Sequence, residues 1–224
     1  MTDERWLRHA TTEVHGRYFV RPSRSALGGR WLVGFHGQDQ TADAFFEQLE
    51  GIPGAEDWLL ASVQGLNRYY TRRTRAIVAG WMTSQDRELA IADNVKWVDS
   101  ALDHIEREFG APRSLVFVGF SQGVAMAYRA GVLGRRECAA IVALNGDVPP
   151  ELKDATNRAW PRVLAATGSR DEWYTSERLA SEAQLLRERK IDVRELVFEG
   201  GHEWTEDLAR EIGRWLKEIA PAQM

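Results

Sequence analysis

The sequence predicts an α/β protein, a mostly parallel sheet of about seven strands with helices on both faces. Three observations predict it. Short β-type runs alternate with helical patterns along the chain. Several of those runs are continuously apolar, as strands covered on both faces by helices must be. And 224 residues, 44% of them hydrophobic and 28% charged, suit a globular chain with a well-buried core.

The strand candidates are RYFV at 17–20, RWLVGF at 30–35, DWLLASV at 57–63, SLVFVGF at 114–120, AAIVAL at 139–144, RVLAAT at 162–167 and VRELVF at 193–198. A short helix near 41–50 carries Phe45, Phe46 and Leu49. The clearest helix spans about 86–109, where Ile91, Val95, Val98, Leu102, Ile105 and Phe109 form one stripe. Thr83 and Asp86 are placed for a capping box at its start, and Gly110 with Pro112 ends it. Another helix follows Ser121, a third covers about 176–190, and a fourth covers about 204–219 and buries Leu208, Ile212, Trp215 and Ile219. The stretch 65–83 is too irregular for this layering and reads as a long loop over one end of the sheet. With no internal repeat or linker, a single domain over 1–224 is the economical reading.

Composition excludes several classes of function. The net charge of -4 gives no global basic field for nucleic acid or anionic membrane. One cysteine, Cys138, excludes an internal disulfide and a cysteine-based metal cluster; within CAAIVAL it reads as a buried structural thiol. The start MTDERWLRH is charged and lacks an apolar h-region, and no apolar run approaches the ~20 residues of a membrane helix. A cytoplasmic protein without stable membrane insertion is expected. HEWTE at 202–206 begins like a zinc motif, but Glu206 holds the second histidine's place. NRYYTRRTR interleaves arginine with tyrosine as single-strand binders do, yet it is one short loop in an acidic protein and reads as solvated. There is no Walker loop and no dinucleotide G-x-G-x-x-G.

GFSQG at 119–123 carries the chemistry. A nucleophilic serine must project from a rigid base, and a sharp strand-to-helix turn provides one. Such a turn brings strand and helix so close that the residues two before and two after must be small; Gly119 and Gly123 meet that need. The helix QGVAMAYRAGVL then points its first N–H groups at the serine. Serine needs a base, and this plan demands the order serine, acid, histidine. His202, in EGGHEW, is the only histidine after Ser121. His9, His15 and His104 sit in polar surroundings and need no role. Asp171, in ATGSRDEWY, is the favoured acid because its loop follows the strand next to the histidine's; Asp147, in LNGDVPP, after the preceding strand, is the rival. Oxyanion donors are expected at the backbone N–H of Gln122 and of Gln38, with His36 and Gly37 shaping the turn. Phe35, Trp81, Trp173 and Trp204 adjoin these loops and are expected to line an apolar substrate pocket.

LVGFHG, GFSQG, GSRDEWY and GGHEW, in that order, resemble the phospholipase/carboxylesterase family of α/β-hydrolases, which includes acyl-protein thioesterases and small bacterial esterases. AGWMT is similar to the family's tryptophan-containing segment before the long helix. The resemblance implies the α/β-hydrolase fold with a minimal cap, and a serine carboxylesterase without metal or organic cofactor. It assigns nucleophile, acid and base to Ser121, Asp171 and His202. The partner is a small-molecule ester; a homodimer stays open. Acyl thioesterase and lysophospholipase are alternatives, as is a non-catalytic ligand-binding α/β-hydrolase. Three departures stand out. Gln38 runs directly into Asp39 where the family has a second glycine. Val124 follows Gly123. Trp173, Tyr174 and Thr175 follow the acid where the family has valine and proline. The resemblance implies short- to medium-chain esters, and the two bulky rings beside the acid are expected to shorten the acyl channel, against long-chain phospholipid or lipidated-protein substrates.

Overall fold

Every continuously apolar run becomes a strand of one sheet. The computed structural model describes residues 5–24, 29–153 and 158–219; Met1, Thr2, Asp3 and Glu4, which open the charged N-terminus, lie outside them. The sheet contains β1 (Tyr18–Arg21), β2 (Arg30–Phe35), β3 (Leu59–Val63), then, after a separate hairpin of β4 (Asn67–Tyr70) and β5 (Ile77–Gly80), β6 (Ser114–Phe120), β7 (Ala140–Leu144), β8 (Arg162–Gly168) and β9 (Val193–Phe198). Their order in space is β1-β3-β2-β6-β7-β8-β9. Only β1 runs antiparallel to its neighbour.

The helices are α1 (Ala42–Glu50), α2 (Arg87–Phe109), α3 (Gln122–Leu133), the short α4 (Pro150–Lys153), α5 (Ser176–Glu188) and α6 (Glu206–Ile219). Strand alternation divides the core in two. On β2, Trp31, Val33 and Phe35 join the cluster beneath α2, α3 and α5, whereas Leu32 joins the cluster with α1 and α6. α6 buries Leu208, Ile212, Trp215 and Leu216 on one stripe against the second cluster. Cys138 is buried, and burial pushes its thiol pKa up to about 12.

Two expectations need correction. The stretch 65–83 is not a plain loop: β4 and β5 pair Asn67 with Gly80 and Tyr70 with Ile77 as a two-stranded ribbon. Nor does the capping box form at the start of α2. Asp86 adopts a left-handed conformation with φ 48°, makes no side-chain cap, and bonds the His9 ring instead; Thr83 Oγ1 accepts the N–H of Gln85.

The topology positions the site. β2 leads to β3 on one side, and β6 lies on its other side, so the strand order reverses between β2 and β6. Crevices beyond the carboxyl ends of strands at such a switch point are where open parallel sheets bind ligands. Register pairs Phe35 with Gly119 and Phe120 with Leu144, so the segments after β2, β6 and β7 emerge side by side.

Candidate active site

Ser121 stands between β6 and α3 with φ 52° and ψ -120°, a conformation costly for any residue with a side chain. The surroundings enforce it. A Cβ on Gly123 would lie 1.9 Å from the Phe35 carbonyl oxygen, and one on Gly119 would lie 2.4 Å from that of Gly123. No side chain fits at either place, so strand and helix close over both glycines and the serine is turned outward. Its N–H donates to Leu144 O at 2.8 Å, tying the turn to β7.

His202 and Asp171 complete a hydrogen-bonded line. Asp171 lies on the turn after β8, and one carboxylate oxygen accepts the N–H groups of Trp173 at 2.8 Å and Tyr174 at 3.0 Å. The other faces His202 Nδ1 at 2.8 Å and accepts from Asn145 Nδ2 at 2.6 Å. Burial alone would raise the Asp171 pKa. The bonds from Tyr174, Asn145, Trp173 and His202 outweigh it and hold the carboxyl below its usual value. An ionised acceptor requires the histidine proton on Nδ1. Nε2, 2.9 Å from Ser121 Oγ, is then free to accept the serine's hydroxyl proton. The line can therefore withdraw a proton from Ser121 and stabilise the imidazolium that results.

The turn after β2 closes the other side. A Cβ on Gly37 would lie 3.3 Å from Ser121 Cβ, so this turn touches the serine. Gly37 N–H donates to Gln40 Oε1 at 2.8 Å. Gln38 is exposed beside it, and Gln122, as the first residue of α3, has an N–H with no intrahelical acceptor. The Gln122 side chain is engaged elsewhere: Oε1 accepts Trp81 N–H at 2.7 Å, and Nε2 donates to Met82 O at 3.1 Å.

His36 lies outside the proton line. It is fully buried, accepts Gly65 N–H on Nε2 at 3.0 Å, donates from Nδ1 to Gly37 O at 2.6 Å, and stacks on Trp81. Burial lowers its pKa more than the bond to Gly37 and the charge of Asp43 raise it. A histidine whose folded pKa is depressed contributes stability that is complete above the unfolded value of about 6.5 and is lost as pH falls toward the folded value. Thermal melts should therefore show Tm falling as pH drops from 7 to 5, with a shallower slope in His36→Asn.

The rival acid Asp147 is exposed and pairs with Arg178 at 2.6 Å. Exposed His15 and His104 bond no catalytic candidate, and His9 reaches Asp86. Two of the four expected pocket residues, Phe35 and Trp81, are corrected. Phe35 and Trp81 have no exposed surface; their rings pack edge to face beneath the serine turn, and Trp81 Nε1 donates to His36 O at 2.9 Å. Trp204 packs edge-on to Phe45, Tyr174 turns into the core, and Trp173 is 77% exposed at the rim. Asn145 escaped the sequence reading. It is buried with φ 56°, and its amide also donates to Gly201 O at 3.2 Å, joining the acid's turn to the histidine's loop. Its signal was an asparagine directly after an apolar strand, where asparagine tolerates a left-handed backbone.

No family model matches the chain, and no curated protein matches it in sequence. Solved structures do match in shape. Esterase PE8 superposes with a TM-score of 0.74 at 22% identity, over 92% of this chain and 100% of that one. The chain has the α/β-hydrolase fold. The Bacillus cereus carboxylesterase superposes at a TM-score of 0.70 and 17% identity, covering 92% of this chain and 95% of its own. Zea mays acyl-protein thioesterase 2 gives 0.68 and 16%, covering 92% and 99%. At these identities the likeness extends to the fold, and the chemistry rests on the residues themselves. No helix among the described residues is long and apolar enough to cross a membrane.

Proposed function

We propose that the protein is a serine carboxylesterase of the phospholipase/carboxylesterase family, acting as a single domain on short- to medium-chain esters. One observation carries the reading: His202 bridges Ser121 Oγ and the Asp171 carboxylate at 2.9 and 2.8 Å, on a serine turn that only paired glycines permit. Ser121 attacks the ester carbonyl carbon while His202 Nε2 takes its proton, and Asp171 holds the imidazolium. The N–H groups of Gln38 and Gln122 receive the oxyanion, helped by the N-terminal dipole of α3. His202 then protonates the departing alcohol. Water, deprotonated by the same imidazole, releases the acid from Ser121.

The ester-hydrolase names of the neighbouring folds support this reaction class. Chain-length selectivity is supported by burial: Phe35, Trp81 and Phe117 pack against one another in the core and offer no open surface to an acyl chain, whereas Trp173, two residues from Asp171, is exposed.

A fluorophosphonate probe tests the reading. The folded protein should be labelled, with the adduct mapping by mass spectrometry to the peptide containing Ser121. Absence of labelling would favour a ligand-binding protein without turnover. Hydrolysis of p-nitrophenyl esters graded by acyl length should fall beyond medium chains; faster cleavage of matched thioesters or lysolipids would move the assignment to thioesterase or lysophospholipase.

A further inference from the structure

The β4–β5 hairpin and the two residues after it hold the neighbours of one expected oxyanion donor and the side chain of the other, although they contribute nothing to the proton line. On one side Asp39 N–H donates to Ala79 O at 3.1 Å, Ala79 N–H donates to Gln40 O at 2.9 Å, and Tyr69 Oη donates to Asp39 Oδ1 at 2.5 Å. On the other, the residues that follow β5 hold the Gln122 side chain through Trp81 N–H and Met82 O. A Cβ on Gly80 would lie 3.4 Å from Gln122 Oε1 and 3.6 Å from Tyr69 Oη, so the two contacts flank one point of the ribbon.

Asp39 is the strained member. Its φ of 61° lies in the left-handed region, which is costly for a residue with a Cβ and which aspartate adopts when its side chain is held by a hydrogen bond. The Tyr69 hydroxyl supplies that hold. We propose that Tyr69 and Asp39 form a positioning pair that keeps the turn carrying the Gln38 N–H in its oxyanion-binding shape. The inference rests on the esterase reading and adds two residues to it. Partial burial and the hydrogen bond and charge of Asp39 raise the Tyr69 pKa, so the phenol remains a donor at working pH.

The test is a double-mutant cycle on kcat, KM and affinity for a trifluoromethyl ketone, whose adduct with Ser121 carries an oxyanion. Removing a whole oxyanion donor costs about 10²–10³ in kcat. Displacing one by Tyr69→Phe should cost less, about tenfold in kcat and in ketone affinity, with KM within about twofold. Glycine accepts a positive φ without a tether, so adding Tyr69→Phe to Asp39→Gly should change kcat by less than about twofold. An equal loss in both backgrounds, or no loss from Tyr69→Phe alone, overturns the pair and leaves the esterase reading intact. A wild-type protein inert to esters and to the ketone overturns both. Tyr69 is part exposed, and matching thermal melts confirm that the comparison is between folded proteins.

Discussion

Replacing Ser121 by alanine is expected to lower ester turnover by about six orders of magnitude, because the attacking atom is gone and only oxyanion stabilisation and binding remain. The fold should survive. The hydroxyl's bond is to His202 at the half-buried rim, and losing such a bond costs about 0.5–1.5 kcal/mol. Alanine carries the same Cβ through the same φ of 52°, so backbone strain is unchanged. Rates on a short p-nitrophenyl ester, taken beside a thermal melt, decide the matter. Turnover surviving within a few fold in a folded variant would place the nucleophile elsewhere.

The second large effect belongs to the acid. Asp171→Asn should reduce kcat by about 10⁴, because an amide facing Nδ1 favours the tautomer that puts the proton on Nε2, where Ser121 needs an acceptor. Asp147→Asn should leave kcat within about twofold, since that carboxylate pairs with Arg178 at the surface. The reverse pattern would transfer the role to Asp147. Stability gives a separate sign. Asp171 has a depressed folded pKa, so its contribution is present above the unfolded carboxylate value of about 3.9 and is lost as pH falls through the folded value. The asparagine variant should lack that component of acid unfolding.

The sheet was legible because its central strands are buried on both faces, and unbroken apolar runs such as AIVAL and LVFV cannot be satisfied elsewhere. The proposed proton line could be read from chain order, which leaves one histidine after Ser121, and from two acids after successive strands, Asp171 favoured and Asp147 its rival. Other features depend on information absent from local pattern. The ribbon at 67–80 is short, and NRYY is exposed along its length, so no apolar alternation marks it. The hold on Asp39 by Tyr69 depends on a left-handed turn and a contact between residues thirty apart. Phe35 and Trp81 misled by adjacency: closeness along the chain to a catalytic turn does not say which way a ring points. Strand alternation held the better signal for Phe35, since Trp31, Val33 and Phe35 share the face beneath α2 and α3.

The buried thiol at position 138 has a practical outcome. It is the chain's only cysteine, and its raised pKa leaves almost no thiolate at neutral pH, so maleimides should bypass it in the native state. A cysteine substituted for exposed Trp173 would then be the sole reactive handle, and a fluorophore attached there would report cleft occupancy without removal of any native sulfur.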